Sequence, residues 1–120
     1  MNAQANKGIA YLWFDAFNAH DLEALLMLYA DDAEHYSPKL KERRPETVGW
    51  VRGKPALRDW WRDAFERLPS LRYEMVKLTS DEHQVFMEYI RHVDGDADLR
   101  VGEVLEVRAG QIVSSRVYHG

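Results

Sequence analysis

Apolar residues recur at helical spacing at Ile9, Leu12, Trp13, Ala16 and Phe17, which predicts an amphipathic first helix. Residues 18–21 interrupt it, and Asp21 is placed to cap a second, shorter helix with Leu22, Leu25, Leu26 and Tyr29 on one face. "DDAEHYSP" then reads as a short strand ending before Pro38. Residues 39–52 show no clear period and contain Pro45 and Gly49, so they are expected to form a long loop. Gly53, Lys54 and Pro55 mark a helix start, with proline in the first turn. Leu57, Trp60, Trp61, Ala64, Phe65 and Leu68 follow as the strongest helical stripe of the chain, and Pro69 comes just after it. Beyond that the period changes to two. Residues 71–78, 84–93, 99–108 and 111–119 alternate, separated by the turn-like runs "TSDEH", "DGDAD" and "AGQ". The order is α, α, β, α and then four strands. Short turns between strands predict an antiparallel meander. Helices gathered ahead of it predict an α+β domain with three helices on one sheet face.

The strand "VFMEYIRHV" carries large apolar groups on both faces. Val85, Met87, Tyr89, Arg91 and Val93 point one way, and Phe86, Glu88, Ile90 and His92 the other. A single layer of helices covers one face only. The outer set is therefore expected to meet a second copy of the chain in a homodimer.

The bulk numbers narrow the setting. At 120 residues, with 46% AVILMFWYC and 30% charged residues, the chain is expected to form one domain over 1–120. It has no cysteine, which excludes disulfides and thiolate chemistry and fits a reducing compartment. The formal charge of −4 argues against nucleic acid as the main partner. No run approaches the roughly 20 apolar residues of a membrane span, so no membrane association is expected. "MNAQANKGIAYLWF" lacks a signal-like apolar region, and a cytoplasmic location is the expectation.

Four segments carry a family resemblance: "FNAHDLEALLMLYADDAE", "VRGKPALRDWWRDAF", "GEVLEVRAGQI" and "SRVYHG". With the predicted element order, they resemble the SnoaL-like branch of the nuclear transport factor 2-like superfamily over almost the whole chain. The resemblance implies a cone-like barrel. A curved antiparallel or mixed sheet would wrap three N-terminal helices and leave an apolar pocket open at one end. It also implies frequent dimers through the outer sheet face. Members include polyketide cyclases, steroid isomerases, epoxide hydrolases, dehydratases and non-catalytic modules, so the fold does not choose among them. The arginine and two aspartates of the epoxide hydrolases fall on Tyr89, Arg91 and Val117 here, and two carboxylates are missing. No aspartate base with a tyrosine–aspartic acid pair, as in the steroid isomerases, is visible. The cyclases commonly place a histidine and an aspartate on the last strands, whereas this chain ends Val117, Tyr118, His119, Gly120.

Alternation assigns Met87, Tyr89 and Arg91, then Val101, Glu103 and Leu105, then Ser115, Val117 and His119, and from the first strand Glu34 and Tyr36, to the pocket side. Glu103 sits between Val101 and Leu105, where desolvation disfavours its charge and can ready it for proton transfer. Arg91 on the neighbouring strand is the expected partner, and a purely structural Glu103–Arg91 pair is the competing reading. Tyr89 can donate to a substrate oxygen or simply fill the core. His119 lies one residue from the end, so a catalytic use there competes with fraying. The catalytic candidates are Glu103, Arg91, Tyr89 and His119. Trp13, Phe17, Tyr36, Trp61, Met87, Val101, Leu105 and Val117 are the expected ligand-binding lining, with Trp50 as a lid from the long loop. The histidines at 20, 35, 83, 92 and 119 make no HxxxH or HExxH spacing, so neither metal nor cofactor is expected. The run "KLKERRPETVGWVRGK" holds six Lys/Arg against two Glu. It can draw an anionic ligand to the pocket mouth, although such runs are more often plain solvated loops. Two functions remain: a cofactor-independent isomerase, cyclase or lyase acting on a small, apolar, oxygen-bearing molecule, or a non-catalytic binding or assembly module.

Overall fold

The computed structural model describes residues 2–119. Met1 and Gly120, the last residue of "SRVYHG", lie outside the described residues. The elements run α1 (Ala3–Asn18), α2 (Leu22–Met27), β1 (Tyr29–Tyr36), α3 (Pro38–Arg43), a 3-10 turn at Pro45–Thr47, β2 (Trp50–Arg52), α4 (Lys54–Arg67), β3 (Arg72–Ser80), β4 (Gln84–His92), β5 (Leu99–Arg108) and β6 (Gln111–Tyr118). Local chemistry explains the helix starts. Asn2 and Asp21 accept from the backbone N–H groups of Ala5 and Ala24, capping α1 and α2. Gly53, at φ 87°, turns the chain into α4.

The strands form one sheet in the order β2-β1-β6-β5-β4-β3. β1 runs parallel to β6, and every other neighbouring pair is antiparallel. The helices pack on the concave face in a cone-like α+β arrangement. The sheet does not close into a barrel, because β2 and β3 remain its two edges. One edge strand is three residues long and the other carries a bulge between Met75 and Lys77, both of which discourage edge-to-edge pairing.

Period two holds through β4 and β5. Val85, Met87 and Tyr89 point inward, as do Val101, Glu103, Leu105 and Val107, all of them buried. Phe86, Glu88, Ile90 and His92 are on the outer face and only partly covered. They join an aromatic strip there: Trp50 packs on Tyr36 at 5.2 Å, Tyr36 lies 6.1 Å from Tyr118, and Tyr118 pairs with Gly102. The ring of Phe86 lies over Gly102, so close that a Cβ there would meet Phe86 Cζ at 2.8 Å.

Three sequence expectations are corrected. The expected long loop over 39–52 contains α3, the 3-10 turn and β2. Ser37 caps α3 by accepting from Lys39 N at 3.2 Å, and Pro38 fills its first turn. Six residues burying only Leu40 are too short to display a helical period. Tyr29 opens β1 rather than ending the face of α2. The phase of β1 is also the reverse of that expected. Tyr29, Ala33 and His35 are buried on the inner side, while Glu34 and Tyr36 turn outward, Glu34 to meet Arg52 at 2.7 Å. The one-step change moves every side chain of the strand to the other face.

Candidate functional site

Between the concave sheet face and helices α1, α3 and α4 lies a cavity of about 280 Å³. Its floor and walls take Trp13 and Phe17 from α1, Trp60 and Trp61 from α4, Tyr73 from β3, Tyr89 from β4, Val101 and Glu103 from β5, Val117 from β6 and His35 from β1. Toward the mouth stand Lys39, Glu42 and Arg43 of α3, Arg67 of α4, Arg91, Asp96 and Leu99, with His119 beside Val117. The aromatic wall is continuous. Phe17 stacks on Tyr73 at 4.1 Å and Tyr73 on Tyr89 at 4.2 Å, with Trp13 against both Phe17 and Tyr73.

Sheet register decides which expected residues reach this cavity. Inner pairs on β4 and β5 run, from the closed end outward, Val85–Leu105, Met87–Glu103, Tyr89–Val101 and Arg91–Leu99. Met87 and Leu105 therefore belong to the sealed core beneath the cavity and do not line it. Arg91 is four residues along β4 from the position opposite Glu103, roughly 13 Å at strand spacing. The expected Glu103–Arg91 pair does not form. Arg91 instead faces Asp96 at 3.7 Å. Tyr36 and Trp50 also fail to line the cavity; they stack on each other on the outer face, and Trp50 is no lid. Both errors follow from the β1 phase, since β2 pairs with β1 and inherits its orientation.

Glu103 is the chemical centre of the floor. It is 1% exposed, accepts a hydrogen bond at Oε1 from the Tyr89 hydroxyl at 2.6 Å, and has no partner at Oε2 among the described residues. Burial raises its carboxyl to about 7, although the Tyr89 hydrogen bond opposes the rise. Tyr89 itself is pushed well above the ordinary phenol range, by burial first and by the neighbouring Glu103 charge second. It is a donor held on Glu103, not one free for a ligand.

Beside this pair is a buried hydrogen-bond chain that alternation along the sequence did not reveal. Trp13 Nε1 donates to the Tyr29 hydroxyl at 3.1 Å, Tyr29 donates to Ser115 Oγ at 3.0 Å, and Ser115 Oγ lies 2.7 Å from His35 Nδ1. His35 is 3% exposed and packs against Trp61, 5.1 Å between ring centres. Burial lowers its imidazole to about 3, so the ring is neutral at ordinary pH. The one legible signal for it was parity: Tyr29, Ala33 and His35 share a face on which an alanine and a tyrosine favour burial. Among the described residues, no group of three or more His, Cys, Asp or Glu is arranged to hold a metal ion. No described helix is long and apolar enough to cross a membrane.

An open curved sheet wrapped on helices, with a cavity between them, is the architecture of the nuclear transport factor 2-like proteins. Within them, this chain belongs to the SnoaL-like family, whose domain matches residues 11–115. It is similar to a SnoaL-like protein of unknown function from Burkholderia thailandensis E264, at 28% identity and TM-score 0.87, covering 98% of this chain and 95% of that one. A candidate ketosteroid isomerase from Kribbella flavida DSM 17836 shares the fold at 18% identity and TM-score 0.81, with 98% and 79% covered. A candidate polyketide cyclase from Sinorhizobium meliloti shares it at 19% identity and TM-score 0.78, with 92% and 94% covered. No curated protein matches the sequence significantly.

Proposed function

We propose that the protein is a cofactor-independent acid/base catalyst of the isomerase, cyclase or dehydratase type. Its substrate is a small, mostly apolar molecule bearing oxygen. The observation that carries this reading is Glu103: a buried carboxyl at the cavity floor, one oxygen held by Tyr89 and the other without a partner among the described residues. A carboxyl near 7 is half ionised at neutral pH, which suits a group that takes a proton from substrate and returns it elsewhere. The aromatic walls fit an apolar ring or chain. Tyr89 acts here as a positioning residue for Glu103. Arg91 at the mouth supplies positive charge to a polar end of the ligand. The names of the Kribbella and Sinorhizobium relatives lie in the same chemical range, and their likeness supports the fold beneath the proposal.

Proton abstraction can be tested before the substrate is known. Exchange of the α-hydrogens of 2-tetralone in deuterated buffer, followed by proton NMR, reports a general base directly. Wild type should accelerate exchange above buffer, increasingly so as pH rises through about 7. Glu103→Gln should lose about 100-fold or more of that acceleration. Wild-type exchange no faster than buffer would favour the second reading, a pocket that binds without catalysis.

A further inference from the structure

We propose that Arg91 anchors a carboxylate carried by the ligand, which makes the substrate a small aromatic or cyclic acid lying in the cavity with its acidic group at the mouth. The inference deepens the small-molecule reading of the cavity and rests on it for the ligand's apolar body, but it makes its own claim about charge. Register frames Arg91 with apolar neighbours on the inner face. Tyr73 of β3 and Leu99 of β5 flank it across the sheet, and Tyr89 precedes it on β4. Its side chain is 14% exposed and lines the cavity. A guanidinium offers five N–H donors. Among the described residues this one makes no hydrogen bond, and its single ion pair is a long contact of 3.7 Å with Asp96, an exposed turn residue. A cation so largely removed from water and so thinly paired is poorly satisfied until an anion reaches it.

The rest of the rim is largely neutralised. Asp63 holds Arg67 at 2.9 Å and Arg43 at 3.9 Å. Glu42 and Asp96 oppose Lys39 and Arg91 on the cavity lining. Together these groups leave a single net positive charge, which fits a monoanion better than a dianionic phosphate. Lys39 is a point charge on the six-residue α3, whereas Arg91 rises from a strand paired on both sides. Its planar fork also matches the two oxygens of a carboxylate. The floor sets the direction of entry. An acid entering head first would meet Glu103, half ionised at neutral pH. With the head on Arg91, about 13 Å of strand separates it from the level of Glu103, and the ring of Tyr89 stands between. One or two rings of a ligand fill that interval against the stacked wall of Phe17, Tyr73 and Tyr89.

Asp96 is then a competitor for the same cation. A ligand carboxylate must share or displace the Arg91–Asp96 contact, and a long pair with an exposed partner resists little. Removing the Asp96 charge should therefore help an acid to bind, and removing the Arg91 charge should hinder it. Opposite signs at two paired residues distinguish an anchor from a purely structural ion pair, where either loss would act through stability alone.

Isothermal titration calorimetry near neutral pH tests the anchor with 2-naphthylacetate and 2-naphthylacetamide, its uncharged counterpart of the same shape. Wild type should bind the acid about tenfold or more tighter than the amide, with a preference that shrinks as salt is added. Arg91→Met should bring the acid to the level of the amide and leave amide binding unchanged. Arg91→Lys, which keeps the charge and loses the fork, should retain part of the preference. Asp96→Asn should strengthen acid binding about threefold without changing the amide, and it decides the matter should Arg91→Met fail to fold. Wild type binding the acid no tighter than the amide, or binding neither, overturns the proposal. So does an acid preference that survives Arg91→Met, or acid binding that does not strengthen in Asp96→Asn. Glu103→Gln should retain the preference for the acid. 2-Tetralone carries no acidic group, so its exchange reports the base while the naphthyl pair reports the anchor, and failure of one leaves the other readable.

Discussion

Tyr89 donates its hydroxyl hydrogen to Glu103 Oε1 over 2.6 Å, and the other oxygen of that carboxyl is buried without a partner among the described residues. The register of β4 and β5 creates this relationship by setting Tyr89 diagonally next to Glu103 and leaving Arg91 well beyond reach. Burial disfavours the charged form of a carboxyl so placed, and only the Tyr89 hydrogen bond opposes that effect.

Stability should therefore fall with rising pH. Glu103 has a folded value of about 7 against an ordinary 4.5, so between those values the folded protein retains a proton that the unfolded chain has released. The stabilisation is complete below the unfolded value and lost as pH rises through the folded one. Glu103→Gln does not titrate, and its stability relative to wild type should improve by about 3 kcal/mol between acidic and mildly alkaline pH. Urea melts of both proteins across that range measure it. A gap that does not vary with pH would mean that Glu103 ionises as it does in water.

Tyr89→Phe should raise the Glu103 midpoint further, because it removes the one interaction that favours the carboxylate. Carbon-13 NMR of the labelled carboxyl follows the titration. A midpoint moving down would assign Tyr89 the opposite role.

Tyr29→Phe should destabilise the protein by about 1–3 kcal/mol, since it strands the Trp13 indole N–H in the core and takes a donor from Ser115. Equilibrium denaturation gives the value. A loss near zero would place water or a rearranged Ser115 in the gap.

At His92 the sign of the pH effect follows from its neighbours. Glu74 Oε1 lies 2.8 Å from Nε2 and Asp98 Oδ1 2.9 Å from Nδ1. The Glu74 hydrogen bond, first among the causes, raises the imidazole above its ordinary 6.5. The stabilisation from this cluster is complete below the unfolded value and disappears as pH rises through the folded one. His92→Gln should therefore lose stability relative to wild type at mildly acidic pH and converge with it at alkaline pH, as thermal melts would show.

We propose that the outer face, with Phe86 and Ile90 beside the Trp50–Tyr36–Tyr118 strip, is self-complementary and forms a homodimer. Ile90→Lys should sediment as a monomer at micromolar concentration, where wild type sediments as a dimer. A wild-type monomer, or a dimer that survives the substitution, would remove this face from consideration.

The sequence alone was enough for the types of α1, α2, β1, α4 and β3 to β6, and for the two faces of β4 and β5. Period two is a local property, and long alternating runs such as "VFMEYIRHV" and "LRVGEVLEV" express it without reference to partners. Glu103 was visible for the same reason, as a carboxylate in an apolar row. The sequence did not determine what Glu103 faces. Its partner depends on how β4 slides against β5, which is settled by turns and by packing across the whole sheet. Tertiary structure likewise decided β1, where a register shift against β6 and the cover of Trp61 turn His35 inward and Tyr36 outward. It decided α3, whose Ser37–Pro38 start is a sound local signal followed by too few residues to show a period. The chain from Trp13 to His35 draws its four residues from α1, β1 and β6, up to 86 positions apart for a single bond, and only the folded backbone brings such groups within hydrogen-bond distance.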